Sequence, residues 1–104
     1  CLSRGLGDVY KRQIQTLNKN GCFVWRNNNL AVRGRTFIGL KGVPDVVGFH
    51  TQSGVAVYCE TKAIGDKLSS YQISFLNLAK TANCFCYIAT EENGKLTIKE
   101  YEQK

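Results

Sequence analysis

The chain has 104 residues, 43% of them hydrophobic, and its single proline and ten glycines give no sign of disorder. The formal net charge of +6 is typical of a protein that binds a polyanion. No apolar run approaches the roughly 20 residues needed to span a bilayer, so the composition predicts one small globular domain and excludes a helical membrane protein.

The first 13 residues need separate treatment. The eleven residues from Ser3 to Gln13 match the translation of a transposase-type sequencing adapter. We therefore interpret residues 1–13 as a non-native, adapter-encoded segment that replaces the natural start, and we assign the domain to residues 14–104. A genuine basic N-terminal arm is the alternative interpretation.

The remaining residues predict the element order α-β-β-β-α-β-β. The elements are a helix that ends over 14–20, strands at 22–25, 45–50 and 55–62, a helix from Ser69 or Ser70 to Thr81, and strands at 84–89 and 95–101. The strand–helix–strand passage from 55 to 89 predicts a right-handed crossover between parallel strands. The expected fold is therefore α/β, with a small mixed sheet flanked by helices.

Five cysteines and one histidine limit the metal chemistry of the chain. The cysteines form no Cys-x-x-Cys pair, which makes a zinc site unfavourable. Four of them lie in apolar stretches, where free thiols pack as small hydrophobic side chains: Cys22, Cys59, Cys84 and Cys86. We therefore expect a chain without disulfides in a reducing cytoplasm.

Two carboxylates that interrupt apolar strands form the most informative pattern. Asp45 begins one strand, and Glu60 lies in the next strand with Lys62 on the same face, because side chains alternate across a strand. The short polar linker 51–54 predicts a hairpin. If both acids face the same side, their carboxylates converge and repel each other unless they are paired or bound to a metal. Mg²⁺ prefers such oxygen ligands.

Each part of this pattern also has a structural interpretation. Glu60 and Lys62 could form a solvated ion pair on one strand face, which contributes little to stability. Pro44 and Asp45 both favour turns, so this pair could simply begin a strand. The order of the parts, with a helix following, favours a site for a divalent cation and a phosphodiester.

These residues resemble the PD-(D/E)xK nucleases, and among them the VRR-NUC (virus-type replication-repair nuclease) family. The resemblance covers residues 14–90 and is carried by Asn20-Gly21, residues 23–28, Gly34-Arg35, residues 41–48, Glu60-Thr61-Lys62, residues 67–69, Gln72 and Phe75-Leu76. It implies a restriction-endonuclease-like core and a DNA endonuclease that depends on Mg²⁺ or Mn²⁺. Branched or flap DNA in phage replication and repair is the implied substrate, in the cytoplasm of a bacterial or phage-infected cell.

The resemblance also implies roles for individual residues. Asp45 and Glu60 would bind the metal, and the Thr61 backbone carbonyl would complete its coordination. Lys62 would orient the attacking water or stabilise charge on the phosphate, and Gln72 would support the site. The family's glutamate on the first helix falls in the adapter-like segment, where Asp8 is the only acid. We therefore expect the native glutamate to be missing.

Basic and polar residues that precede or follow the acidic strands are the predicted DNA contacts, which would hold phosphates rather than read sequence. They are Arg26, Asn28, Arg33, Arg35, Lys41 and Lys67. A solvated basic loop is the alternative, and Trp25 is expected in the core rather than as a stacking platform. For function, the alternative is a non-catalytic DNA-binding module with a truncated or decayed site. A homodimer is expected by analogy with branched-DNA nucleases.

Overall fold

A computed structural model describes residues 6–27 and 39–104. Its elements follow the predicted order: α1 (Leu6–Lys19), β1 (Cys22–Arg26), β2 (Val46–His50), β3 (Ala56–Ala63), α2 (Ser70–Thr81), β4 (Phe85–Glu92) and β5 (Lys95–Glu100). The first helix begins earlier than the predicted range, so α1 runs continuously across the boundary drawn between residues 13 and 14. Within the described ranges, no helix is long and apolar enough to cross a membrane.

The strands form one mixed sheet in the order β1-β2-β3-β4-β5. The pairs β1–β2, β2–β3 and β4–β5 are antiparallel, and β3–β4 is parallel. The helix α2 therefore makes the crossover between the two parallel strands, as predicted. Among the strands of residues 6–27 and 39–104, β1 lies at one edge of the sheet and pairs with β2.

The two helices cover opposite faces of this sheet. The α1 face buries a core of residues that alternate along the strands, including Val46, Val57 and Cys59. The α2 face buries a second core around Leu76, Ala79, Cys86 and Tyr101. Burial of these apolar side chains is the main favourable term in folding, at roughly 25 cal/mol per Å².

The start of α2 is fixed by its cap and by the loop that leads into β2. Ser69 is the N-cap residue, and it forms a capping box with Gln72. Gly42 has a φ of +89°, and a Cβ atom there would lie 2.3 Å from the Tyr71 carbonyl oxygen. Only glycine allows this close approach, which places the loop before β2 against the first turn of α2.

Trp25 does not lie in the core, which corrects the sequence-based expectation. Its side chain is 48% exposed, on the sheet face that α2 partly covers. The physical reason is that α2 packs on β4 and the neighbouring strands, whereas β1 and β2 extend beyond it.

Candidate functional site

Asp45 and Glu60 lie side by side, as the strand alternation predicted. The register of β2 and β3 pairs Val46 with Cys59, so the residue before Val46 lies beside the residue after Cys59. The Thr61 N–H donates to Oδ2 of Asp45 at 3.4 Å. The Asn27 N–H donates to the Asp45 carbonyl oxygen at 2.7 Å, which fixes the backbone of Asp45 against the end of β1.

Glu60 is only 3% exposed. Its Oε1 accepts a hydrogen bond from Nε2 of Gln72 at 3.3 Å. Its Oε2 is buried and has no hydrogen-bond partner among the described residues. Burial, and next the Asp45 carboxylate, raise the pKa of Glu60 from 4.5 to about 9, while Lys62 opposes the shift. Without a neutralising ligand, burial and Asp45 therefore favour the protonated form of Glu60.

This donor set fits a hard divalent cation. A buried carboxylate oxygen without a partner, next to a second carboxylate, offers the oxygen ligands that Mg²⁺ takes. Residues 6–27 and 39–104 contain no group of three or more His, Cys, Asp and Glu side chains that could hold a metal. Because Mg²⁺ usually keeps several waters and takes one or two carboxylates, two are sufficient.

Lys62 lies two residues beyond Glu60 on the same strand face and is half-buried. The ion pairs formed within the described part of the chain are Asp8–Arg12, Arg12–Glu91 and Lys80–Glu100, so a direct Glu60–Lys62 pair is not among them. Lys62 instead lines an open cavity of about 780 Å³, whose other charged lining residues are Lys67, Lys99, Lys104, Asp66, Glu100 and Glu102. This position leaves its ammonium group able to meet an anion that enters the cavity.

Gln72 connects the α2 cap to the carboxylate pair. Its Oε1 accepts a hydrogen bond from the Ser69 N–H at 2.8 Å, while its Nε2 donates to Glu60. Both ends of the amide are therefore used, and the orientation of the side chain is fixed. Gln72 therefore contacts one carboxylate of the pair, and its supporting role in the site stays a prediction.

Two residues of α1 also reach this site, and neither is among the residues predicted from the sequence. Gln13 is fully buried; its Nε2 donates to the Cys59 carbonyl oxygen at 3.4 Å, and its Oε1 accepts from Oγ1 of Thr61 at 2.6 Å. Gln13 therefore holds both neighbours of Glu60 in β3. The helical spacing of Tyr10, Gln13 and Leu17 would have indicated a buried face, but residues 1–13 were set aside as non-native.

Tyr10 is the α1 residue next to Asp45. Burial, and next the Asp45 carboxylate, raise the pKa of Tyr10 from 10 to about 12. The Arg26 guanidinium carbon lies 4.1 Å from the centre of the Tyr10 ring, a cation–π geometry. Asp8, the acid considered for this helix, pairs with Arg12 at 3.2 Å.

The predicted DNA contacts are distributed around the site. Arg26 packs on Tyr10 near Asp45. Lys41 is exposed, with Nζ 5.1 Å from the centre of the Tyr71 ring at the start of α2. Lys67 shares a cavity with Lys62. The other three predicted contacts lie outside the described residues: Asn28, Arg33 and Arg35.

The architecture is similar to a solved structure, that of Hjc, a Holliday junction resolvase from the archaeal hyperthermophile Archaeoglobus fulgidus. The TM-score is 0.57 at 18% sequence identity, and the match covers 90% of this chain and 76% of that chain. The fold is thus a restriction-endonuclease-like α/β fold. No curated protein matches the chain.

The family model of the VRR-NUC domain matches residues 35–92, more than half of the chain. The matched range contains both carboxylates of the pair, Lys62 and Gln72. The chain therefore belongs to the VRR-NUC domain family, which is a family of nucleases.

Proposed function

We propose that this protein is a divalent-metal-dependent endonuclease that hydrolyses phosphodiester bonds in DNA. The observation that carries the metal dependence is the carboxylate pair, in which the buried Oε2 of Glu60 has no hydrogen-bond partner among the described residues. Such a group is unfavourable to bury unless a ligand compensates it. Membership of the VRR-NUC family supports the reaction class.

Each residue of the site has a separate role in this proposal. Asp45 and Glu60 hold Mg²⁺ or Mn²⁺ through their carboxylate oxygens, and the Thr61 backbone carbonyl completes the protein ligands. When bound, such an ion lowers the pKa of a water molecule and neutralises charge on the phosphate. Lys62 orients the attacking water or stabilises the charge that develops on the phosphate. Gln72 positions Glu60 through its Nε2 hydrogen bond.

We propose branched or flap DNA, in phage replication and repair, as the substrate. Residues 1–13 contribute +2 of the formal net charge of +6, through Arg4, Lys11, Arg12 and Asp8, so residues 14–104 carry +4. This basic charge favours a polyanionic partner, and the similar solved structure is named as a Holliday junction resolvase. The proposed phosphate contacts are Arg26, Lys41 and Lys67 with Asn28, Arg33 and Arg35. A homodimer in the cytoplasm of a bacterial or phage-infected cell completes the proposal.

The proposal that residues 1–13 are adapter-encoded bears on the activity of this chain. Tyr10, rather than an acid, lies next to Asp45 on the α1 side, whereas the family resemblance implies a glutamate on this helix. The genomic sequence upstream of Ile14 tests this directly. We expect it to differ from residues 1–13 and to encode a glutamate on the first helix, and an identical genomic sequence would refute the proposal.

A non-catalytic DNA-binding module is the second candidate function. It is favoured by the neutral Tyr10 phenol beside Asp45 and by the presence of only two carboxylates in the described part of the site. In that case the protein would bind DNA in a salt-sensitive manner without cutting it.

Cleavage of plasmid and branched DNA with Mg²⁺ or Mn²⁺ separates these functions. Two proteins are needed: the 104-residue chain, and one in which the genomic upstream sequence replaces residues 1–13. We expect Glu60→Gln and Lys62→Ala each to slow cleavage on the order of 10³-fold, a loss of several kcal/mol in transition-state stabilisation. Lys99→Ala is the matched control, because Lys99 lines the same cavity as Lys62.

The outcomes of this assay are distinct. Nicking that persists unchanged in both Glu60→Gln and Lys62→Ala would refute the catalytic assignment. Salt-sensitive DNA binding without cleavage, even with the natural first helix, would support the binding module. Absence of both activities would leave a structural domain.

A further inference from the structure

We propose that Phe23, Trp25 and Phe49 form an aromatic platform on which unpaired bases of the DNA substrate stack, an inference that rests on the proposed function. The three side chains are 54%, 48% and 39% exposed. Their ring centroids lie 5.6 to 6.4 Å apart in edge-to-face pairs. Contiguous exposed aromatic surface is unusual in a small domain and commonly marks an interaction site.

The aromatic platform lies on the same sheet face as the carboxylate pair. The β1–β2 register pairs Phe23 with Phe49 and Trp25 with Val47. Asp45, Val47 and Phe49 share one face because strand side chains alternate. Asp45 is two residues from Val47, about 7 Å along the strand. A base stacked on Trp25 would therefore belong to a nucleotide next to the phosphate held at the carboxylates.

An open groove connects the aromatic platform to α2. It has a volume of about 360 Å³, with Trp25, Val47 and Tyr58 on the sheet and Phe75 on α2. The Tyr58 and Phe75 rings meet edge to face at 4.9 Å, and Asn27 adds an amide to the lining. Apolar walls with a polar side chain suit a planar heterocycle that carries hydrogen-bonding groups.

The size of the aromatic platform favours a nucleobase over a second copy of the chain. A fully buried aromatic side chain covers 150–250 Å², so three half-exposed rings supply about 200–400 Å². A standard protein interface needs roughly 800 Å² per partner. Stacked bases need only the faces and edges of the rings.

The net charge of the chain also favours DNA as the ligand of the aromatic platform. The formal net charge of +6 attracts a polyanion. Lys41 is exposed, and its ammonium group lies near the Tyr71 ring at the start of α2. It therefore adds a cation to the loop that borders the groove. Duplex bases are stacked on each other and hidden from such a surface, so the aromatic platform would select single-stranded segments or the open ends of branched DNA.

The fluorescence of Trp25 reports ligand binding at the aromatic platform directly, because Trp25 is the only tryptophan in the chain. Its emission is measured in the Glu60→Gln variant, so that no cleavage interferes, while oligothymidine, a forked duplex, a blunt duplex or inorganic polyphosphate is added. Binding is followed independently by competition with a labelled forked duplex. We expect oligothymidine and the forked duplex to quench Trp25. Polyphosphate and the blunt duplex should bind without quenching it.

A pair of substitutions separates stacking from general loss of aromatic surface. Phe49→Leu removes a ring of the aromatic platform. Phe85→Leu removes a ring that is 40% exposed beside His50 at the opposite face, where Phe85 pairs with Val57 of the α1 core. We expect Phe49→Leu to weaken oligothymidine binding about 5- to 100-fold and Phe85→Leu to leave it unchanged. Phe23→Leu serves if Phe49→Leu fails to fold.

Three results would overturn the proposal. One is bound oligothymidine that leaves Trp25 emission unchanged. Another is an equal loss of affinity in Phe49→Leu and Phe85→Leu. The third is Trp25 emission that changes with protein concentration alone and follows dimer mass in sedimentation, which would assign the surface to a second copy. None of these readouts requires cleavage, so failure of the aromatic platform is distinguishable from failure of the nuclease assignment.

Discussion

Cys59 and Glu60 are neighbours in β3 that point to opposite faces, and they show what each face of the sheet contributes. Both are almost completely buried, at 0% and 3% exposure. Cys59 packs in the α1 core, and burial raises its pKa to about 12, so a neutral thiol is buried without electrostatic cost. Glu60 is also forced towards its neutral form, but a carboxyl group loses far more solvation on burial. Burial of Cys59 therefore stabilises the fold, whereas burial of Glu60 lowers the stability of the fold.

The same contrast extends across the two faces. The α1 face is a continuous apolar core from Leu17 to Ala89. The α2 face carries an apolar core beneath the helix, the carboxylate pair at the start of the helix, and the aromatic platform beyond it. The carboxylate pair and the aromatic platform therefore share the face that its helix only partly covers, whereas Arg26 packs on Tyr10 of α1.

The largest expected effect on stability comes from Glu60. Its pKa is raised on folding, so the folded state holds a proton that the unfolded state releases above pH 4.5. The contribution of this proton to the free energy of unfolding is fully present below pH 4.5 and is lost as pH rises towards 9. In the absence of metal, we expect the free energy of unfolding to fall by up to about 1.4 kcal/mol per pH unit in this window.

Glu60→Gln should remove this pH dependence and become more stable than the natural chain at pH 9. Urea unfolding at several pH values, with a chelator present, measures both effects. Parallel pH profiles for Glu60→Gln and the unchanged chain would show that Glu60 is not buried as a neutral group.

Cys59→Ala tests the other side of the comparison. Removing a buried sulfur from the α1 core should lower the free energy of unfolding by about 1–2 kcal/mol, while the cleavage rate changes little. Urea unfolding and the cleavage assay measure the two quantities. A large loss of cleavage in a Cys59→Ala protein that remains folded would contradict the assignment of stability to the α1 face and of function to the α2 face.

The smallest expected effects distinguish the role of Gln72 in the α2 cap from its role as a hydrogen-bond donor to Glu60. Ser69→Ala removes the N-cap hydroxyl that accepts the Gln72 N–H and should cost about 1 kcal/mol of stability with little change in cleavage. Gln72→Leu also removes the hydrogen bond to Glu60 and should slow cleavage about tenfold, an effect of roughly 1.4 kcal/mol. Equal cleavage rates in the two variants would assign Gln72 to the cap alone.

Much of this fold follows from local patterns in the sequence. Strand alternation and the short hairpin indicated that Asp45 and Glu60 would converge if both faced the same side. The register of β2 and β3 places them side by side, and a register shift would expose the apolar side chains of both strands. Ser69 at the cap and the passage through α2 predicted the parallel crossover. The VRR-NUC resemblance was confirmed by the family match over residues 35–92.

Other features required the packed structure. Gln13 and Tyr10 reach the site only because α1 continues to Leu6, within the segment that was excluded. Trp25 was expected in the core, since its aromatic character does not reveal that β1 is an edge strand. The position of Gln72 over Glu60 depends on α2 and on the close approach of Gly42 to Tyr71, which local sequence patterns do not reveal.

Binding of Mn²⁺ to the metal-free chain tests the central claim most directly. Calorimetric titration near neutral pH, in two buffers with different ionisation enthalpies, measures affinity and proton release together. We expect release of about one proton per ion, because the ion displaces the proton from Glu60, and we expect Glu60→Gln to lose this binding while Cys59→Ala retains it. Absence of binding, or equal affinity and proton release in Glu60→Gln, would contradict a metal site at Asp45 and Glu60.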